Sequence, residues 1–132
     1  MSMIPMLLIG LHTIAAVFWL FSSAVLGWGQ SAAASKPMFR AQMIAAVVVV
    51  FAGGGLWSIL HPVGFGPREM LLAAGAVLGV AAAGVQGALV GKQVRLMKAG
   101  QPADEVKVIR GQRTAAVLLI GALAFMISER VV

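Results

Sequence analysis

The chain has 132 residues, 61% of them hydrophobic and 11% charged, with a formal charge of +6 and no cysteine. A soluble domain of this size cannot hide so much apolar surface, so the surplus is expected to face lipid. The missing cysteine excludes disulfides, thiolate catalysis, iron–sulfur clusters and Cys-based zinc, and in such a chain the basic excess reads as membrane topology rather than nucleic-acid binding.

Four apolar runs match the roughly 20 residues that a helix needs to cross a bilayer. They cover residues 3–27, 42–60, 69–91 and 109–127, which predicts an all-α, four-transmembrane-helix bundle in a single domain, 1–132. The first run is too long for a signal peptide and lacks a basic leader, so it reads as a retained helix. It contains "GLHTIAAVFWLFSSAVLGWG", residues 10–29, in which His12, Ala16, Trp19 and Ser23 fall on one narrow helical stripe.

An imidazole in hydrocarbon is costly and calls for a partner or a task. His12 has three readings: a hydrogen bond to a neighbouring helix, with Gln86 one candidate; an axial ligand to haem iron; or a copper ligand. The copper reading draws on "MSMIPM", since the thioethers of Met3 and Met6 suit Cu(I). At 1.5 Å per residue His12 lies about 13 Å below the start of its helix, and Gln86 about 25 Å below the start of its own. The two meet only if the helices are offset or tilted.

The second run carries Gly53, Gly54 and Gly55 and ends at the shallow His61, before Pro62. The third holds Gly75, Gly79, Ala83, Gly87 and Gly91 at a four-residue spacing, with Gln86 sharing much of the face of Gly75, Gly79 and Ala82. Small residues so placed admit a close helix or a flat ligand such as a porphyrin. After it, residues 92–113 read as a basic helical hairpin at the headgroups. Gly100 is placed to end one helix there and Pro102 to begin the next, with Asp104 and Glu105 at the positive helix end. Around the fourth run Arg110, Arg113, Glu129 and Arg130 can snorkel to the interfaces.

Lys36, Arg40, Lys92, Arg95, Lys98, Lys107, Arg110 and Arg113 fall on one side of this layout, and only Arg68 and Arg130 on the other. The positive-inside rule then puts both termini on the non-cytoplasmic side, as expected for a bacterial inner-membrane protein. No Asp, Glu, Lys or Arg lies deep in a run, which argues against ion-coupled transport.

Several of these segments resemble the HemJ-type protoporphyrinogen oxidases and the related CopD membrane domains. The seven-residue step from His12 to Trp19 matches the family's histidine-to-tryptophan spacing, and "FAGGGLW" is similar to its "FGLWL" region. The stretch "GVQGALVGKQVRLMKAGQPADE" resembles its Tyr-His-Gly, basic segment and "AGEN", and "VIRGQRTAAVLLIGALAFM" follows in register. The resemblance implies a four-helix membrane scaffold associated with protoporphyrinogen oxidation and with haem held by histidines. His12 takes the first histidine position, whereas Gln86 stands at the second, and Gly111 to Thr114, "GQRT", replace "NEVP".

The resemblance thus implies a scaffold stripped of its catalytic equipment: a non-catalytic accessory or structural subunit of a larger membrane complex. The alternative is a redox protein binding haem b or a porphyrin through His12, with Trp19 and the glycines shaping the pocket and Gln86 a further candidate binding residue. A second alternative is copper handling by Met3, Met6 and His12. The partners expected are the lipid bilayer and other membrane subunits or a second copy, with no nucleic acid.

Overall fold

The computed structural model describes residues 2–29 and 32–131, and among them there is no strand. Helix α1 spans Met3–Trp28, and after a 3₁₀ turn at Ala32–Ala34 helix α2 spans Ser35–Leu60. Helix α3 (Pro67–Val85) runs through a π-helical turn, Gln86–Gly91, into α4 (Lys92–Lys98), making one continuous third span. Helix α5 covers Glu105–Ser128 and closes in a 3₁₀ turn at Glu129–Val131. The four long helical stretches are all apolar enough to cross a membrane.

The helices overrun the apolar runs that betray them. The second begins at Ser35 rather than 42, the third continues to Lys98, and the fourth begins at Glu105 rather than 109. A helix need not stop at the hydrocarbon edge, because each further residue adds one backbone hydrogen bond. Turn chemistry stops it instead. Gly100 adopts φ +70°, and Gly100 N–H and Gln101 N–H donate to the carbonyls of Met97 and Leu96, the paired bonds of a Schellman cap. Asp104, two residues beyond Pro102, caps α5 by accepting from the amides of Val106 and Lys107. Gln93 Oε1 accepts from Asp104 N–H at 2.7 Å and ties the hairpin shut.

Chain direction alternates from span to span. Helix α1 packs chiefly on α2 and α5, the third span packs on α5, and α2 touches the third span only lightly. Antiparallel partners fix the registers: Gly55 lies against Leu8, Gly27 against Arg113, Gly75 against Ala122 and Gly111 against Val90. Lys36, Arg40, Lys92, Arg95, Lys98, Lys107, Arg110 and Arg113 therefore collect at one end of the bundle. The central core is Trp19 set among Ala45, Ala46, Ala82, Ala115 and Leu119. A second cluster of Ala32, Val90, Val94 and Val108 closes the basic end. Alanines at the seams bring the backbones close, while Ile14, Phe21, Phe51 and Val77 point outwards.

The small-residue stripe divides. A Cβ on Gly75 would sit 3.1 Å from the Ala122 carbonyl oxygen, and one on Gly91 would sit 2.8 Å from the Phe39 ring. Ala83 is half-buried beside the core, whereas Gly79 and Gly87 have open space. A strict four-residue spacing gains about 40° per step on a 3.6-residue helix, so the stripe winds off any single packed face. Gly111 on α5 is as crowded as Gly91, since a Cβ there would meet Val90 Cγ2 at 2.8 Å and Leu89 Cβ at 3.0 Å. Gly111→Ala should therefore lower stability by about 1–3 kcal/mol through overpacking, while Gly79→Ala should be close to neutral. Thermal unfolding in detergent checks the contrast; equal effects would contradict this packing.

Candidate functional site

Trp19, on the buried side of α1, has one polar atom, and it can only donate. Its Nε1–H donates to Gln86 Oε1 at 2.7 Å, from the first span to the π turn of the third. With its oxygen so used, the Gln86 amide nitrogen turns the other way and donates to Ser23 Oγ (3.0 Å) and Gln112 Oε1 (2.7 Å). Gln112 and Gln42 exchange amide bonds of 3.0 and 3.1 Å, and Gln112 also donates to Ser35 Oγ at 3.1 Å. Gln42 Nε2 lies within 3.3 Å of both Ser22 Oγ and Ser23 Oγ, and Ser22 donates back to the Trp19 carbonyl.

This network joins all four spans: α1 through Trp19, Ser22 and Ser23, α2 through Ser35 and Gln42, the third through Gln86 and α5 through Gln112. Trp19, Ser23, Ser35, Gln42, Gln86 and Gln112 are each fully buried, at 0% exposure. Among the described residues no buried side-chain nitrogen or oxygen lacks a partner. The π turn helps to make this possible. Its wider winding presents Gln86, Val90 and Gly91 together to the interior, where a regular helix would rotate the later two further round. The network contains no carboxylate, amine or imidazole; its hydrogen bonds tie the four spans to one another.

His12 lies outside this network. Its Nδ1–H donates to the Val49 carbonyl on α2 at 3.0 Å, and the bare face of Gly53 makes room for the ring. Trp19, the residue that meets Gln86, stands seven residues or about 10.5 Å further along α1. The expected stripe of His12, Ala16, Trp19 and Ser23 thus serves two neighbours: its upper part faces α2, and its lower part faces the glutamines. His12 and Gln86 do not face each other here: both ends of the Gln86 amide are occupied, and the Trp19 indole bonds its oxygen. The anchored Nδ1 does leave Nε2 as the ring nitrogen with a lone pair, the usual arrangement of a ligating histidine.

Met3 and Met6 are 74% and 61% exposed on the first turns of α1. Nine residues, about 13.5 Å of helix, separate Met3 from His12, so the structure does not gather the three about one ion. No group of three or more His, Cys, Asp or Glu is placed to hold a metal among the described residues. At the opposite end from the basic residues, His61 Nδ1 meets Glu69 Oε1 at 2.8 Å, and Glu69 Oε2 accepts from Gly66 N–H. Trp57 lies within ring-contact distance of both His61 and Phe65, so this cluster staples the α2–α3 turn.

Gln42, Gln112 and Ser35 escape a reading based on apolar runs, because all three sit near the edges of those runs. One signal was available: the second, third and fourth spans each carry a glutamine with apolar neighbours at helical spacing. No protein-family model, curated protein or solved structure matches the chain.

Gln86→Leu strands the Trp19 N–H, and Trp19→Phe strands the Gln86 oxygen. Each variant should lose about 1–3 kcal/mol of stability, the cost of an orphaned buried polar group. The double variant should lose less than the sum by about 0.5–2 kcal/mol, as expected of directly coupled groups. Unfolding of the four proteins in mixed micelles measures this; strict additivity would mean that the indole–amide bond contributes nothing.

Proposed function

We propose that the chain is an integral protein of a bacterial inner membrane that serves as a non-catalytic structural or accessory subunit, built on a scaffold like that of HemJ and CopD. The observation that carries the reading is the closed hydrogen-bond network. The indole and the three carboxamides most able to grip a cofactor are committed to one another. The outer surface supports it too, because Ile14, Val17, Phe18 and Phe21 form an apolar face on α1 that suits lipid or another membrane subunit. The concentration of basic residues at one end supports an orientation with that end in the cytoplasm and both termini outside.

The absence of cysteine makes the orientation directly testable, because any introduced thiol is unique. Lys98→Cys should react with a membrane-impermeant maleimide only after cells are opened, and Val63→Cys, in the exposed α2–α3 turn, should react in intact spheroplasts. The opposite pattern would invert the topology.

A second reading is favoured by one specific feature, the fixed tautomer of His12 with Nε2 left to bind a metal. In that case His12 would hold a haem through Nε2, and the haem would supply one-electron redox chemistry. The absorption spectrum of the purified protein separates the two. The structural reading predicts no Soret band and, for His12→Ala, a loss of about 0.6 kcal/mol, typical of an interhelical hydrogen bond in a membrane. A Soret band abolished by His12→Ala would replace it with the haem reading.

A further inference from the structure

Among the basic residues, Arg113 is held differently from the rest. Its Nε–H donates to the Gly27 carbonyl at 2.7 Å, and its guanidinium lies 5.6 Å from the centre of the Trp28 ring. Both contacts are to the last turn of α1, whose final carbonyls have no helical partner and carry the negative end of the helix dipole. The side chain is therefore pinned in place while its two terminal NH₂ groups stay unpaired among the described residues. They border an open, shallow groove along one face of α5, with Arg110 one turn away and Glu105 at the far lip.

We propose that this groove binds the phosphate of an anionic phospholipid in the leaflet at the basic end of the bundle. The proposal rests on the membrane reading above and adds a defined site to it. Charge favours one phosphodiester: two arginines against one glutamate leave a net +1. An arginine whose fork is already oriented binds a phosphate through paired N–H donors with little further loss of freedom. Trp28, 55% exposed beside it, is the residue type that settles at the level of lipid headgroups.

The acyl chain also has a place. Val117 and Ile120, four and seven residues beyond Arg113, share its helical face and are 58% and 53% exposed. The same pattern recurs on α2, where Arg40 heads a groove of about 290 Å³ that includes Ile44 and Val47, again four and seven residues on. An arginine above an exposed aliphatic track matches the head and tail of a lipid, and a nucleotide or free phosphate would use only the upper half.

Native mass spectrometry of the detergent-solubilised chain tests this, with phosphatidylglycerol and phosphatidylcholine added in turn. Phosphatidylglycerol should be retained preferentially. Arg110→Ala, which removes an exposed side chain without a packing role, should weaken retention about fivefold, the equivalent of one cation at a membrane surface. Arg113→Ala should weaken it further, and Arg113→Lys, which keeps the charge but loses the fork, should not restore it. Glu105→Gln should strengthen retention, and Lys98→Ala should leave it within a factor of about two. Equal retention of both lipids, equal loss in Lys98→Ala and Arg110→Ala, or displacement by millimolar inorganic phosphate would each overturn the site. Alkaline extraction of the chain from membranes would instead remove the membrane reading beneath it, so the two failures are told apart.

Discussion

A buried amide shut away from water must find its partners inside the fold, and that constraint organises this protein. Seven buried side chains, three of them glutamines, form one network in the interior, arranged so that each donor finds an acceptor. Trp19 gives the arrangement its polarity. Because an indole can only donate, the Gln86 oxygen must face it, the Gln86 nitrogen must face Gln112, and the remaining amides follow in turn. One donor-only group thus sets the orientation of three carboxamides on three other helices.

Such a network is modest in energy and strong in specificity. Hydrogen bonds between membrane helices are worth well under 2 kcal/mol each, because a helix separated from its partners still finds others. Their value lies in register. Alanines and glycines along the seams allow many close approaches, but sliding one helix past another by a turn would leave several amides unpaired at once. The π turn belongs to the same economy, since it places Gln86 and the crowded Gly91 on the same side of the third span.

The two ends of the bundle are built differently. The end with few charges is closed by the His61–Glu69 pair and the rings around it, a compact staple on a short turn. The basic end is extended: α4 and α5 reach beyond the apolar runs, the hairpin is capped at both sides, and the arginines stand on the outer faces of the helices. Arg113 couples this end to the last turn of α1, so the basic surface is continuous with the packed interior.

The number of spans, their order and the collection of basic residues at one end were legible in the sequence, because hydropathy and charge add along the chain and need no knowledge of neighbours. Gly100 likewise announced the end of its helix through local backbone chemistry, whereas the next helix starts at Glu105, capped by Asp104, and not at Pro102. Partnerships were another matter. The helical stripe that groups His12 with Trp19 is sound geometry, yet His12 turns to Val49 while Trp19 turns to Gln86. Gln42 and Gln112 look interfacial in the chain and are fully buried in the bundle. Which residues meet depends on the rotation and offset of each helix, and a π turn changes that rotation without leaving a mark in composition. Only the packed tertiary structure could decide it.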